Sequence, residues 1–558
     1  MNSMQSTALL HELLRHSATT APDAPALTYQ DQTLPYGDLA AAAERFADGL
    51  LRLDVARGER IGIYLEKRAE FVVAAFGALA AGAVLVPINP ILKAEQVAYI
   101  LRDCNVRVLV TSAPRFGGLA SVLRDCHDLR HAVIVDGDGE GPGEAAVPAI
   151  VPWQDMLSGG ALPGHRVIDE DLAAILYTSG STGRPKGVML SHRNMTTGAK
   201  SVAQYLENRA SDTLLAALPL SFDAGFSQLT TAFHVGARVV LINYLLPKDV
   251  LNAVVRERVT GLTAVPPLWI QLAQLRWPES VREHLRYFAN TGGRMPGETL
   301  KALRAALPGS KPYLMYGLTE AFRATYLPPE EVDRRPDSIG KAIPNAEVLV
   351  LREDGSVCAD HEPGELVQRG ALVGLGYWND PDKTAERYRP LPGREAGFVR
   401  PEIAVFSGDT VRRDEEGFLY FIGRRDEMIK TSGYRVSPTE VEEGVYATEL
   451  VGECAALGVA HPVLGQAIVL IATPRDGGVL DEATLLAACR TRFPAYMVPA
   501  RIVVQPGPLP RNPNGKIDRK RLSEETAPVS SSADAWGQQQ ATPSPATAGE
   551  GGGEGIKS

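Results

Sequence analysis

Cysteine is scarce in this sequence, with five in 558 residues. They lie at positions 104, 126, 358, 454 and 489, and no two of them form a Cys-x-x-Cys pair. A small disulfide scaffold needs a denser set of cysteines, and a structural zinc site needs closely spaced ligands. The sequence therefore argues against both and is typical of a protein in the reducing cytoplasm.

Long apolar runs are also missing. The longest, residues 71–87, is rich in alanine and contains glycine and proline. It falls short of the roughly 20 strongly apolar residues that a membrane-spanning helix needs. Residues 1–13 show no basic segment followed by an apolar one, which is the pattern of a signal peptide. We therefore expect a soluble, cytoplasmic protein without stable membrane insertion.

An excess of positive charge is absent as well. The 57 lysines and arginines are outnumbered by 66 acidic residues, so the formal net charge is −9. This balance does not favour nucleic acid as a partner, and an anionic substrate would have to be met by local cations. The length exceeds what one hydrophobic core normally holds, so we expect at least two domains.

Short aliphatic runs alternate with helical patterns through most of the first 316 residues. This order predicts an α/β fold whose large N-terminal domain has mixed, mainly parallel sheets with covering helices. From about residue 345 the strands lose their intervening helices, which predicts an antiparallel β subdomain. Residues 427–523 then indicate a small α+β unit. Residues 524–558 carry almost no aliphatic side chains, so we expect a disordered tail.

A loop rich in serine, threonine and glycine lies between two apolar runs, residues 173–176 and 188–190. Backbone N–H groups and hydroxyls in such a loop can surround phosphate oxygens, and a nearby lysine adds positive charge. The candidate phosphate ligands are Thr178, Ser179, Gly180, Ser181, Thr182, Gly183 and Lys186. A Walker A loop is excluded because Gly187 stands where that motif needs a hydroxyl. Read alone, the loop leaves a surface linker and a polyphosphate site open.

The string at residues 177–187 resembles the phosphate loop of the adenylate-forming superfamily, which includes acyl-CoA synthetases, peptide-synthetase adenylation domains and luciferases. Four further strings, at residues 316–320, 407–410, 423–426 and 510–519, resemble motifs of that superfamily in its order. Alone, each would be read as a turn or a surface charge. Together they cover about residues 8–523, and the sequence is identified as a member of this superfamily.

The resemblance implies a site for ATP and Mg²⁺. Glu320 would bind the metal, Asp409 would accept hydrogen bonds from the ribose hydroxyls, and Arg424 would contact the nucleotide. Further implied nucleotide contacts are Gly292, Gly293, Arg294, Tyr316, Gly317 and Thr319. Arg294 departs from the usual pattern, because many members have a small or acidic residue where adenine should stack.

The resemblance also implies a reaction in two steps. Lys516, Lys186 and Glu320 would be catalytic, with Lys516 bridging the substrate carboxylate and the α-phosphate as an acyl-adenylate forms. A mobile C-terminal domain, residues 426–523, would then rotate on the N-terminal domain, residues 1–425, about a hinge at Asp426. Gly433 and Arg435 would thereby reach the site and form a channel for pantetheine.

Two thiols are compatible with this channel: coenzyme A, which would make the protein an acid:CoA ligase, and the phosphopantetheine of a carrier protein. A nucleotide-binding scaffold without turnover is a third hypothesis, and the intact set of catalytic residues disfavours it. The narrower strings at residues 221–223, 315–322, 337–341 and 428–441 resemble AMP-forming acyl-CoA ligases associated with exosortase A systems. That resemblance does not supply a substrate.

The predicted substrate pocket consists of Phe222, Asp223, Gly317 and Leu318. Asp223 stands where amino-acid-activating domains have an aspartate that pairs with the substrate's α-amino group. It could equally cap the helix that follows, because aspartate is favoured at that position. The sequence leaves both interpretations open.

Overall fold

The computed structural model describes residues 7–137, 148–160, 163–178, 185–392, 401–424, 427–431, 434–461, 464–475, 478–513 and 515–526. Its helices are Leu10–Thr20, Tyr36–Arg52, Ala69–Ala81, Ala94–Asp103, Ala113–Leu119, Trp153–Met156, His192–Tyr205, Asp223–Val235, Pro247–Arg256, Pro266–Ala273, Gly297–Ala306, Pro381–Arg387, Pro438–Tyr446, Glu482–Arg492 and Arg519–Thr526. No helix in these ranges is long and apolar enough to cross a bilayer.

An eight-stranded sheet carries the glycine-rich loop. Across the sheet its strands are Gly376–Tyr377, Lys186–Ser191, Leu172–Thr178, Val84–Pro87, Arg60–Tyr64, Val106–Thr111, His131–Ile134 and Ala149–Pro152. The strands from Leu172–Thr178 to Ala149–Pro152 are parallel, whereas Lys186–Ser191 runs antiparallel to the strand before the loop. The loop therefore lies between two neighbouring strands, as the two apolar runs predicted, and these two strands are antiparallel.

A larger sheet combines a parallel and an antiparallel half. Its strands, in order, are Ala346–Leu351, Gly364–Gly370, Ile403–Arg413, Leu419–Arg424, Ser338–Ala342, Thr325–Leu327, Lys311–Tyr316, Tyr287–Asn290, Gly261–Ala264, Thr213–Ala216, Arg238–Leu241, Pro25–Tyr29 and Gln32–Pro35, with Tyr388–Pro390 beside Ile403–Arg413. Apart from the hairpin of Pro25–Tyr29 and Gln32–Pro35 at the other edge, antiparallel pairing begins at Thr325–Leu327, earlier than the expected residue 345. The β region continues the same sheet.

The main core lies where helices pack between the two large sheets. The helix Ala69–Ala81 has buried side chains on nearly every face, from Phe71 to Ala81, because it is enclosed by other elements. It ends at Gly82, whose φ of 81° is the left-handed conformation common after a helix. This packing fixes the strand ends that carry the predicted site residues.

A five-stranded sheet forms the last part of the chain. Its strands are Tyr434–Val436, Ile429–Thr431, Gly465–Pro474 and Val451–His461 in order, with Arg501–Val504 beside Gly465–Pro474. The helix Arg519–Thr526 packs here through the buried side chain of Leu522. This helix includes Glu524 to Thr526, which the sequence had suggested were disordered, while residues 527–558 lie outside the described ranges.

Candidate active site

Parallel strands of the larger sheet end at one edge, where two predicted glycines follow the strand Tyr287–Asn290. Gly292 has a φ of 77°, which suits glycine, and a Cβ there would lie 3.2 Å from Val265 Cγ1. The same Cβ would lie 3.9 Å from Cε of Lys516. The edge of the sheet therefore meets the predicted catalytic lysine, as expected for ligand sites of parallel sheets.

Three predicted residues from separate strings form one hydrogen-bonded cluster. The Tyr316 hydroxyl donates to Asp409, and Arg424 Nε donates to the other Asp409 oxygen at 2.9 Å. The carboxylate is mostly buried, so these charge-assisted bonds compensate its loss of hydration. Burial, followed by the charge of Asp409, raises the pKa of Tyr316 well above its usual value. The phenol therefore stays protonated and holds the carboxylate in place.

A second cluster joins Lys186 and Glu320 through a tyrosine. The Tyr377 hydroxyl donates to Glu320 Oε1 at 2.6 Å, and Lys186 Nζ lies 5.4 Å from the centre of the Tyr377 ring. Burial raises the pKa of Tyr377, and the charge of Glu320 raises it further. The strand Gly376–Tyr377 pairs with Lys186–Ser191, which explains why the cation and the carboxylate lie together.

The residues around Glu320 fit a magnesium ion that arrives with ATP. Such an ion takes most of its ligands from phosphates and water, and one or two from carboxylates. Tyr377 binds Oε1 of Glu320, and no described residue hydrogen-bonds Oε2. Across the described ranges, no group of three or more His, Cys, Asp or Glu side chains is arranged for a metal. Glu320 therefore has one carboxylate oxygen available among the described residues, which suits a metal held mainly by a nucleotide.

Lys516 lies on a tight turn that contacts the large domain. The Asn512 N–H donates to the Lys516 carbonyl at 2.8 Å, and the Lys516 N–H donates to Asn512 Oδ1 at 3.1 Å. Gly515 has a φ of 77°, which allows the chain to reverse here. Asn89 Nδ2 donates to the Pro513 carbonyl at 2.8 Å, so the turn is held against the end of a strand in the eight-stranded sheet.

Lys516 is an exposed residue, and the end of its side chain lies near Gly292 at the edge of the larger sheet. Desolvation lowers its pKa below the usual lysine value, and the charge of Arg424 lowers it further. The carboxylates of Asp223 and Asp409 oppose this effect. The lysine thus lies in the electric field of the predicted ribose carboxylate and of the predicted substrate pocket.

Asp223 has a partner that the sequence did not suggest. Its Oδ2 accepts a hydrogen bond from Arg323 Nη1 at 3.1 Å, and Oδ1 lies 3.5 Å from the Thr319 hydroxyl. The helix-cap interpretation is wrong, because Phe222 is the N-cap residue and Asp223 is already helical. Gly317 lies directly against Arg323, where a Cβ would approach its Cα to 3.1 Å. Phe222 and Leu318 are both partly exposed.

Arg294 points towards the small domain. It donates to Asp337 at 2.5 Å and forms an ion pair with Glu443 on the helix Pro438–Tyr446. The sequence had placed Arg294 at the adenine position, and the observed contacts give its guanidinium two carboxylate partners instead.

Several predicted residues fall outside the described ranges: Ser179, Gly180, Ser181, Thr182, Gly183, Asp426 and Gly433. Thr178 ends the strand before the loop and pairs with Lys186. Arg435 belongs to the strand Tyr434–Val436 through its backbone.

Sequence reasoning missed three residues of this site: Asn89, Arg323 and Tyr377. Arg323 carries the clearest signal, because a lone arginine stands in the apolar segment formed by residues 321–327. A charge in such a segment is either exposed or paired with an opposite charge.

Comparisons with known proteins agree with this arrangement. The AMP-binding enzyme family matches residues 14–378, and the AMP-binding enzyme C-terminal domain matches residues 440–516. The structure of ATP-bound MatB from Rhodopseudomonas palustris has a TM-score of 0.82 and 26% identity, covering 93% of this chain and 98% of MatB. MenE from Bacillus subtilis, in complex with ATP and magnesium ion, has a TM-score of 0.77 and 27% identity over 91% of this chain and 98% of MenE.

Curated relatives include ligases with two kinds of acceptor. The long-chain-fatty-acid–CoA ligase FadD13 of Mycobacterium tuberculosis is 30% identical over 92% of this chain and 97% of its own length. The L-proline–[L-prolyl-carrier protein] ligase of Pseudomonas fluorescens is 30% identical over 93% of this chain and 99% of its own length. A much longer relative, from the linear gramicidin synthase of Brevibacillus parabrevis, is 31% identical over 92% of this chain, which spans 6% of that protein. The chain belongs to the AMP-binding enzyme family, the adenylate-forming enzymes.

Proposed function

We propose that this protein is an AMP-forming acid:thiol ligase that converts a carboxylic acid and ATP to an acyl-adenylate and pyrophosphate, and then transfers the acyl group to coenzyme A. The observation that carries this proposal is the position of Lys516. It extends from the small domain over Gly292 into a cleft that also contains Asp223 and Asp409.

In the first step, the main obstacle is repulsion between the substrate carboxylate and the triphosphate. Lys516 would bridge the carboxylate and the α-phosphate. Its positive charge would then lie closest to the atoms on which negative charge builds up in the transition state. Lys186 and residues 178–183 would bind the β- and γ-phosphates. Magnesium, held by Glu320 and the nucleotide, supplies further positive charge when bound.

The cluster around Asp409 would orient the nucleoside. Asp409 is held by Tyr316 and Arg424, so its carboxylate is already positioned for the ribose hydroxyls. Gly292, Gly293, Gly317 and Thr319 would complete the nucleotide site, and Arg294 would lie at its edge.

The second step requires Lys516 to leave the cleft. We propose domains at residues 1–425 and 426–523 that rotate about Asp426, bringing Gly433 and Arg435 to the acyl-adenylate. Such a rotation must break the hydrogen bond from Asn89 to Pro513 and the ion pair between Arg294 and Glu443. Each contact joins the two domains in the orientation that places Lys516 over Gly292.

A carrier-protein phosphopantetheine is the second candidate for the acceptor. Similarity to FadD13 supports coenzyme A, whereas similarity to the prolyl-carrier protein ligase supports the carrier. The contacts of Asp223 favour coenzyme A as the acceptor. Its carboxylate already has the Arg323 partner, which leaves it less available to a substrate ammonium and favours an acid without an amino group.

We also propose that the protein belongs to the exosortase A-associated acyl-CoA ligases and works in the cytoplasm. The strings at residues 221–223 and 428–441 support the first statement. All five cysteines are free and buried, which is compatible with a reducing compartment.

Pyrophosphate exchange and thioester formation test the proposal. The purified protein, Mg²⁺ and ATP are incubated with short, long-chain, aromatic and amino acids, and then with coenzyme A or a phosphopantetheinylated carrier. Acid-dependent exchange followed by an acyl-CoA product is expected. Acid-independent ATP hydrolysis alone, or thioester formed only on the carrier, would contradict it.

A further inference from the structure

We propose that the acid activated by this enzyme is short and carries a neutral oxygen substituent, a hydroxyl or a keto group, which accepts a hydrogen bond from Arg323 Nε. This inference rests on the proposed function and specifies its substrate class.

Arg323 is a buried cation whose Nε–H is an unused donor. The residue is only 4% exposed, and its Nη1 group donates to Asp223 and to the Phe322 carbonyl. Its Nε is fully buried and finds no hydrogen-bond acceptor among the described residues. A buried donor without a partner is costly, so such a group in a native site indicates a missing ligand.

The backbone before Arg323 directs it inward. Phe322 is fully buried and has a φ of 59° with a ψ of −60°, a conformation that non-glycine residues rarely adopt. Its ring fills the space above Gly198, where a Cβ would approach the ring to 2.3 Å. Backbone strain of this kind persists where the surrounding packing requires it, and it is concentrated at functional sites.

Arg323 lines a narrow cavity of about 20 Å³. A cavity of this size holds about one water-sized group. Its wall combines apolar side chains with hydroxyls, and includes Val202, Leu214, Met315, Ser227, Thr231 and Thr263. A long alkyl chain has no room here, whereas one oxygen substituent fits the volume.

The cavity is connected to the predicted substrate pocket through Arg323 and Asp223. Arg323 lines the cavity and donates to Asp223 at 3.1 Å, and Asp223 lies in the field of the Lys516 ammonium. A substrate carboxylate bridged by Lys516 would therefore direct its first carbons towards Arg323. A substituent on carbon 2 or 3 would meet Nε.

The charges favour a neutral substituent. Arg323 and Asp223 form a pair whose charges cancel, with their closest atoms 3.1 Å apart. A second carboxylate or an ammonium on the substrate would therefore meet no net opposite charge to compensate its loss of hydration. A hydroxyl or keto oxygen accepts from Nε without disturbing either charge.

The test is pyrophosphate exchange with matched acids. Butyrate is compared with 3-hydroxybutyrate and acetoacetate, propionate with lactate, and octanoate, succinate and proline are included as alternatives. We expect kcat/KM for the best oxygenated acid to exceed that of its alkyl partner by at least about 10-fold, because a site built for a hydrogen bond rejects the analogue that lacks it. Exchange that is as good or better with butyrate, octanoate, succinate or proline would overturn the inference and leave the ligase activity standing. Exchange with none of these acids, but with a long-chain or aromatic acid, would overturn the inference and leave the ligase activity standing. Exchange with no acid of either set would contradict the proposed function, and the inference with it.

Arg323→Lys tests the donor itself, because it keeps the charge beside Asp223 and removes Nε–H. The ratio of kcat/KM for the oxygenated acid over its alkyl partner should fall about 10- to 100-fold, as expected for a hydrogen bond from a charged group. Arg334→Lys, at an exposed arginine, is the matched control. An unchanged ratio in a folded Arg323→Lys protein would overturn the inference. If that variant does not fold, the comparison of oxygenated and alkyl acids with the unmodified enzyme still tests the inference.

Discussion

Arg294 and Glu443 form an ion pair that joins the large domain to the helix Pro438–Tyr446 of the small domain. The Arg294 guanidinium also donates to Asp337 within the large domain. Burial raises the pKa of Glu443 to about 7, although the charge of Arg294 opposes the shift. The orientation that places Lys516 in the cleft is therefore coupled to a carboxyl group that titrates near neutrality.

Removing this pair should affect the two half-reactions unequally. Arg294→Ala is expected to slow pyrophosphate exchange by roughly 2- to 5-fold, the effect of losing a partly exposed ion pair. Thioester formation from a supplied acyl-adenylate should not slow, because it uses the other orientation. Arg304→Ala, which breaks an exposed pair with Asp333 inside the large domain, is the control. Equal slowing of both half-reactions would contradict the assignment.

The same pair predicts a pH dependence. The docked pKa of Glu443, about 7, lies above the usual glutamate value, so the docked state binds the proton more tightly. Docking is then most favoured below the undocked pKa and is weakened as pH rises through 7. The ratio of adenylation to thiol transfer should fall between pH 6 and 8. Glu443→Gln should flatten this profile, and a profile that stays as steep would exclude Glu443 as its source.

Lys516→Ala should abolish formation of the adenylate and spare transfer from a supplied acyl-adenylate. The loss in pyrophosphate exchange should be at least about 100-fold, as for removal of one group that stabilises transition-state charge. Lys520→Ala, at an exposed lysine four residues later, is the matched control. Parallel loss in both half-reactions would remove Lys516 from the role proposed for it.

Tyr377→Phe should weaken the use of magnesium. The phenol holds Glu320 Oε1 at 2.6 Å, and without it the carboxylate is freer to rotate away from the nucleotide. We expect the Mg²⁺ concentration needed for half-maximal pyrophosphate exchange to rise about 10-fold, within the range seen when a group that orients a metal ligand is removed. Tyr244→Phe, in a tyrosine outside this cluster, serves as the control. An unchanged Mg²⁺ dependence would show that Tyr377 has a packing role only.

Local strings brought out three residues that lie together near Lys516, and the roles given to them stay predictions. Tyr316, Asp409 and Arg424 lie far apart in the chain, yet each belongs to a short, recognisable motif. Contacts that depend on tertiary packing were not predictable. The direction of Arg294 depends on the position of the helix Pro438–Tyr446, and the partner of Asp223 depends on a strained turn at Phe322.

The antiparallel half of the larger sheet was also placed too late in the chain. The strand Thr325–Leu327 has three residues, too few to show an alternating pattern. The prediction for residues 524–526 failed because composition does not show which side chain is buried. A polar composition suggested disorder from residue 524, but Leu522 anchors a helix that continues to Thr526.

Truncation after Thr526 should leave the melting temperature and turnover unchanged. The segment that it removes, residues 527–558, has almost no aliphatic side chains that could pack against the rest of the protein. Truncation after Asp518 should lower the melting temperature, since it removes the buried Leu522 and also Arg519, which donates to Glu442 at 2.8 Å. Thermal unfolding of both proteins checks this. A clear loss of stability on truncation after Thr526 would show that residues 527–558 pack against the rest of the protein.

The last prediction concerns the stability of the pair formed by Asp223 and Arg323. Asp223→Ala would leave the guanidinium of Arg323, which is almost fully buried, without its carboxylate. Removing one partner of such a pair typically costs about 3–5 kcal/mol, so the free energy of unfolding should fall by about that amount. The double variant Asp223→Ala, Arg323→Met replaces the cation by an apolar side chain and should recover most of the loss. Denaturant unfolding of the parent, both single variants and the double variant forms a complete cycle. If the effects of the two single changes simply add, the coupling free energy between Asp223 and Arg323 is zero. The position of Asp223 would then be determined by the rest of its helix.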